Sequence, residues 1–408
     1  MRSEHRPLRH YWTWLAATGA TTLGTQTLIF GLVWHAALIG PGTAAAVLFA
    51  QILPRALLTL HGGALSDRVG ALRVMAIANT ILCLLAALGA MAMSMAAPTP
   101  AAMVITALAL GTVDAINIPA AASVPKLLVP APAMGRAMAA RNIVLQAGAL
   151  CGPPLAGTTL TLVGLPATYA TGAVGYLVML LVLRSLRPRT RTTPRTGAPT
   201  GLNRQVAQGV ALVCTTPLLR VAALLTGAFA MCAIPFPSLL LPLVFTDRGL
   251  DAVVAGTAAG AFGTGMALMS ALVLWRGTAP RSGPVACAGM ITAGAGIAIT
   301  ATVDGALPLC LMSLVIGLGT GVFSTHLGPL VMNACPPQAV GRVQAVVTLA
   351  QWVPLLWANP AIGVLAQTWP MTVLVLLWGG GAATTGLVAL CSRSLRTATA
   401  PHPVRSDR

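Results

Sequence analysis

The chain is divided into apolar stretches, each just long enough to cross a lipid bilayer. A spanning helix needs about 20 consecutive apolar residues, and by that ruler twelve can be marked along the sequence. Six lie near 12–38, 44–65, 72–96, 101–124, 141–163 and 166–184, and six near 219–244, 253–275, 284–303, 307–332, 343–366 and 370–391. Of the 408 residues, 56% are hydrophobic and only 8% are charged, against about a quarter charged in soluble domains. Such a chain cannot cover its own surface with polar groups, so lipid must be its solvent. The expected fold class is all-α integral membrane. The first apolar stretch, from about Tyr11 to Ile39, is too long for the core of a signal peptide and reads as an uncleaved first helix.

The two sets of helices are related. Sliding the sequence by 206 positions lays Gly111, Pro130, Gly135, Arg136, Pro154 and Gly157 on Gly317, Pro336, Gly341, Arg342, Pro360 and Gly363. Six matches of this kind at one offset mark a duplicated half, and many membrane transporters are built from duplicated halves. Two pseudo-twofold-related six-helix bundles are therefore expected, residues 1–184 and 218–392. Between them, 185–217 is rich in arginine, proline and threonine and reads as a basic cytoplasmic linker. Within it, 201–216 reads as a short amphipathic helix on the membrane surface, and 393–408 as a cytoplasmic tail.

Charge sets the orientation. Basic residues stand at the N-terminus (Arg2, Arg6, Arg9), in the even-numbered turns (Arg68 and Arg73; Lys126, Arg136 and Arg141; Arg276 and Arg281; Arg342), in the linker and in the tail. Of the odd-numbered turns only the seventh has one, Arg248, beside Asp247 and Asp251. Arginine and lysine concentrate in cytoplasmic loops, which places both termini in the cytoplasm and makes this a multi-pass protein of the plasma membrane. The same bias explains the net charge of +17 without a nucleic-acid partner. Trp12, Trp14, Trp34, Trp275 and Trp369 fall at helix ends, where indole rings favour the interface. Eight cysteines are scattered without CxxC spacing, so neither a metal site nor a disulfide framework is indicated.

Three stretches carry mechanism. After helix 2 the chain reads Gly63-Ala-Leu-Ser-Asp67-Arg68-Val-Gly70-Ala-Leu-Arg73. Its glycines permit close helix ends and a tight turn. Asp67, placed just before helix 3, would meet the positive end of that helix's dipole and could form a latch. Helix 5 holds Gly148-xxx-Gly152-Pro153-Pro154-xx-Gly157, a spacing that lets backbones touch, with a proline kink that neighbouring helices can satisfy. Helix 4 reads Gly111-Thr-Val-Asp114-Ala-Ile-Asn117-Ile-Pro119, then Leu127-Leu-Val-Pro130 and Gly135-Arg136. Asp114 is the one acidic residue placed deep in the bilayer, where a lone carboxylate costs a few kcal/mol. Arg55 in helix 2, entering from the same side to a similar depth, is its natural partner. Asp114 is then either a proton-coupling carboxylate or half of a static bridge between helices 2 and 4.

On these residues the chain resembles the major facilitator superfamily. Gly63, Leu65, Asp67, Arg68 and Gly70 match the family's signature between helices 2 and 3, although its usual basic pair is here Ala71-Leu72, with Arg73 displaced. The helix-5 run is similar to that of the drug/proton antiporters, with Ala156 in place of one glycine. The helix-4 run is similar to the branch of siderophore and macrolide exporters. The resemblance implies a cavity lined by helices 1, 4, 7 and 10, which makes Gln26, Asn117, Phe236 and His326 candidate substrate contacts. Each could equally be a polar or aromatic group satisfied by a neighbouring helix.

The function expected is secondary active efflux of hydrophobic or amphipathic small molecules by alternating access and proton antiport. It would need no cofactor beyond a proton gradient, and no partner beyond substrate and membrane lipid, the protein acting as a monomer. An exporter of siderophores or other biosynthetic products is the alternative. No GxxxxGK[ST] phosphate loop is present, and Gly317-Leu-Gly-Thr-Gly321 reads as helix packing, not as a nucleotide fingerprint. An integral-membrane enzyme would need His, Asp or Glu clustered at one face, and the seven acids are dispersed. A channel would need a ring of charges or a filter loop.

Overall fold

The computed structural model describes residues 5–130, 133–186, 202–336 and 339–396. The described residues are helical almost throughout, with no strand, and twelve spans among them are long and apolar enough to cross a membrane. The first six helices are α1 (His5–Ile39), α2 (Pro41–Val69), α3 (Ala71–Met95), α4 (Pro100–Leu128), α5 (Met134–Leu162) and α6 (Leu165–Ser185). A short α7 (Leu202–Thr215) follows, at the place expected for an amphipathic helix. The seventh span is broken into α8 (Pro217–Cys232), a π-helical turn over Phe236–Leu240, and α9 (Leu241–Asp247). The last five are α10 (Ala252–Arg276), α11 (Ser282–Ile299), α12 (Ala306–Ala334), α13 (Val340–Leu365) and α14 (Met371–Leu390), with a final turn α15 (Arg393–Arg396).

Several helices outrun their apolar cores. α2 reaches Val69 and α4 reaches Leu128, each four residues past the hydrophobic ruler, because a helix ends where its backbone is redirected and not where lipid ends. Gly70 is such a place. At φ +97° it donates its N–H to the Ser66 carbonyl, closing α2, while its own carbonyl accepts from Arg73 and Val74, opening α3. Few side chains tolerate that φ, and glycine does. The break in the seventh span follows from Pro235 and Pro237, whose missing N–H groups interrupt the regular ladder.

The chain groups into two compact units, Met1–Gly197 with Leu241–Gly260, and Ala198–Leu240 with Ala261–Arg408. In the first unit helices meet at glycines. A Cβ on Gly62 would lie 2.6 Å from the Ala115 carbonyl oxygen, and one on Gly111 would collide with the backbone of Gln51, so α2 and α4 touch backbone to backbone at two levels. α1 and α6 do the same through Gly24 against Thr171 and Gly175 against Ala20. In the second unit, Gly317 abuts Phe262 and Gly321 abuts Met266 on α10, while Gly319 faces Ala293 on α11. The glycine triplet of α12 is thus a two-sided packing surface, as read from its place in mid-membrane. α7 rests on α13, with Gly209 against the Arg342 backbone and Arg342 Nη1 donating to Gln208 Oε1 at 2.8 Å.

Tryptophan placement departs from expectation. Trp12, Trp275 and Trp369 are exposed, but Trp14 and Trp34 are buried. Trp14 lies in a cluster with Tyr11, Val74, Met75 and Ala120, and Trp34 stacks on Phe30. A helix end marks proximity to the interface, not the face on which the ring lies.

Because Gly111 seats α4 on α2, Gly111→Ala is expected to destabilise the protein by about 1–3 kcal/mol, the usual overpacking cost. Gly135→Ala, where an added Cβ meets nothing within 4 Å, should leave thermal unfolding in detergent unchanged. Equal melting temperatures for the two variants would contradict the seam.

Candidate functional site

Arg55 and Asp114 each lie fourteen residues into a helix, α2 from Pro41 and α4 from Pro100. The two helices begin at the same end of the first unit, so the residues are level, roughly 21 Å down at 1.5 Å per residue. Arg55 Nη2 donates to Asp114 Oδ2 at 2.6 Å, with the side chains 15% and 10% exposed. The pair sits between the two backbone contacts, Gly111 against Gln51 and Gly62 against Ala115. Arg55 Nε is buried without a partner, so the guanidinium uses only part of its donor capacity.

Other polar groups of the first unit gather on neighbouring helices. The Tyr176 hydroxyl of α6, 1% exposed, shares a hydrogen bond of 2.9 Å with Thr25 Oγ1 of α1. Asn117 does not stand alone: its Oδ1 accepts from Asn79 Nδ2 of α3 at 3.3 Å, and Asn79 also donates to the Met75 carbonyl at 2.8 Å. Asn79 and Tyr176 were not singled out from the sequence. Each is a polar residue in an apolar run, the same signal that marks Gln26.

The helix-5 motif has two faces. Gly148 and Gly152 press α5 on α1 at Thr22 and Gln26, where Thr27 Oγ1 donates to the Gly152 carbonyl at 3.2 Å. Gly157 meets the backbone of Ala252, and Gly256 returns the contact with a Cβ position 2.5 Å from the Pro153 carbonyl oxygen. The half-buried Gln26 is therefore positioned by the absence of a side chain at Gly152.

The two candidates in the second unit are both interior. Phe236, in the π-helical turn, is 2% exposed and belongs to the packed core. His326 is 4% exposed. Its Nε2 accepts from the Ala279 N–H at 3.3 Å, and Nδ1 lies 2.9 Å from the Val322 carbonyl. An imidazole that accepts through Nε2 is neutral and carries its proton on Nδ1, which donates to Val322. His326 thus ties the turn between α10 and α11 to α12, and neither nitrogen points to open space.

The Gly63–Arg73 motif is split by its structure. Gly63, Asp67 and Arg68 all lie on the last turns of α2, so Asp67 stands before α3 but inside the helix that precedes it. The side chain of Asp67, and with it the proposed latch, lies outside the described residues. Arg68 and Arg73 are exposed, the latter on the first turn of α3.

Compared with known proteins, residues 14–358 match the sequence profile described as Major Facilitator Superfamily. In three dimensions the chain is similar to a POT family transporter solved with 5-aminolevulinic acid (TM-score 0.74, 13% identity, covering 94% of this chain and 95% of that one). It is similar also to a mutant of the nucleoside transporter NupG (0.71, 14%, 93% and 99%) and to a D-xylose-proton symporter (0.70, 14%, 93% and 96%). At these identities the likeness is one of fold. No curated protein matches the chain in sequence.

Leaving one charge of a buried pair unpaired costs about 3–5 kcal/mol, whereas replacing both by apolar groups is often neutral. Arg55→Met alone should therefore lower the unfolding temperature, and adding Asp114→Leu should restore most of the loss. In the second unit, His326→Ala strands the Ala279 N–H and is expected to cost about 1–3 kcal/mol. Thermal unfolding in detergent checks both expectations, and a double variant no better than Arg55→Met alone would contradict the first.

Proposed function

The chain belongs to the Major Facilitator Superfamily, and on that premise we propose that it is a secondary exporter of hydrophobic or amphipathic small molecules. It works by alternating access with proton antiport, as a monomer in the plasma membrane with both termini in the cytoplasm. The observation that carries this reading is the Arg55–Asp114 pair at mid-depth of the first unit. Among the described residues Asp114 is the one carboxylate in the middle of a spanning helix. When it takes a proton, Arg55 loses its counter-ion. Because α2 and α4 are clasped at Gly62 and Gly111, the exchange is a rearrangement of side chains within a fixed helix pair.

The substrate class is supported by how few charges the spanning helices carry. Sugars and phosphates need several fixed polar partners, whereas mostly apolar walls with few polar groups suit hydrophobic compounds. The helix-5 motif supports export. The helix-4 run, from Asp114-Ala115 to Leu127-Leu-Val-Pro130, favours a second reading within the same class, export of a siderophore or another biosynthetic product.

Purified protein in vesicles with an imposed pH gradient tests the coupling. The native protein should move a fluorescent amphipathic dye against its gradient, and Asp114→Asn should reduce that flux by at least ten-fold while eluting as a folded species. Proton-driven flux that survives the substitution would make the pair a static bridge.

A further inference from the structure

Helices α1–α6, the Arg55–Asp114 pair apart, carry their charges at one end. The start of α1, the α2–α3 and α4–α5 turns and the end of α6 hold Arg9, Arg68, Arg73, Lys126, Arg136, Arg141 and Arg184. The opposite turns, at Gly40, 96–99 and 163–164, have no charged residue. At the basic end, α3 begins where α6 finishes, and a groove of ≈ 660 Å³ opens between them. Arg73 and Arg184 line it together with Ile77, Thr80, Leu180 and Leu183.

The chemistry of this groove is divided along its length. Arg73 and Arg184 are both exposed, and among the described residues neither is paired with a carboxylate. From Arg73 to Thr80 the wall runs roughly 10 Å at 1.5 Å per residue. Over that distance it is apolar, because the Thr80 hydroxyl is spent on the Ala76 carbonyl at 2.8 Å. Beyond the groove the same helix faces continue as exposed hydrophobic residues, Ile81 and Leu84 on α3 and Leu177 on α6. In a membrane protein such a surface is wetted by acyl chains. Two cations at the membrane boundary, followed by an apolar trough, complement an acidic headgroup followed by its chains.

We propose that this groove is a binding site for an anionic phospholipid, with the headgroup phosphate held by Arg73 and Arg184 and an acyl chain lying along Ile77, Leu180 and Leu183. The volume falls within the range that seats a small molecule, enough for a headgroup and the first part of a chain. Basic residues at a membrane boundary attract acidic lipids, and here two of them are fixed on rigid helix ends instead of a flexible segment. Arg73, which the family signature would place one or two positions earlier, thereby acquires a role of its own. The site does not depend on the chain's being an exporter.

The test uses the full chain, delipidated in nonionic detergent and titrated with phosphatidylglycerol or phosphatidylcholine under native mass spectrometry. One phosphatidylglycerol should be retained at least five-fold more tightly than phosphatidylcholine. R73Q/R184Q should reduce that preference at least five-fold. I77F/L180F, which fills the groove and leaves both charges, should weaken retention similarly and decides the matter if the arginine variant does not fold. R276Q/R281Q, which removes two exposed charges from the turn after α10, should retain native binding. The proposal is overturned by equal binding of the two lipids, by equal loss in R276Q/R281Q, or by native binding in I77F/L180F. Displacement of the lipid by millimolar inorganic phosphate would overturn it too, as would a groove variant that changes oligomeric state without changing lipid retention.

Discussion

Two helices in a bilayer gain nothing by hiding apolar surface from each other, because lipid chains are as apolar as leucine. What fastens helix to helix in this protein is backbone contact at glycine. Gly62 and Gly111 fasten α2 to α4, Gly24 and Gly175 fasten α1 to α6, and Gly317, Gly319 and Gly321 fasten α12 to its neighbours on both sides. At each place a Cβ would come within 2.0–2.8 Å of an atom of the facing helix, closer than real Cβ atoms approach, so the contact belongs to glycine alone. Dispersion over such close surfaces, and not the hydrophobic effect, is the main attraction left to the fold.

That constraint explains how a charge can be kept in the middle of the first unit. Arg55 and Asp114 are level, on parallel helices, and clasped above and below by glycine contacts. The geometry brings the two charges to an ion pair of 2.6 Å. The attraction within the pair must offset the desolvation of two charges, which it does only with good geometry and further hydrogen bonds. The unpartnered Arg55 Nε shows that the offset is incomplete. An arginine with spare donor capacity can take up another acceptor when its carboxylate is neutralised, whereas a fully satisfied one would be locked.

The sequence made the twelve spans legible, because the length of an apolar run is measured directly against the bilayer. It made the Arg55–Asp114 partnership legible too, since two opposite charges at one depth have no better neighbours. The inward faces were hidden. These helices are apolar all round, and a uniform face carries no periodicity to separate lipid from core. That is why Trp14 and Trp34 read as interfacial yet lie inside, and why Phe236 and His326 read as cavity groups yet are packed or hydrogen-bonded. Asn79 and Tyr176 were hidden for the same reason. Their importance lies in what faces them across a helix seam, and a linear pattern does not record that.

The duplication supplies a final argument. Carried forward by 206 positions, Gly111 falls on Gly317, and both perform the same task, seating the fourth helix of a half on its second by backbone contact with Gln51 or Phe262. The same shift carries Arg55 and Asp114 to Ala261 and Thr320. The packing residue is kept in both halves while the charged pair stands in one. A scaffold must be retained twice, because each half has to hold its own helices in lipid. A buried charge need stand only once, because each one placed in the bilayer costs a few kcal/mol and a single carboxylate suffices to bind a proton. The difference between the halves is therefore where chemistry has been laid over architecture, at the centre of α2 and α4.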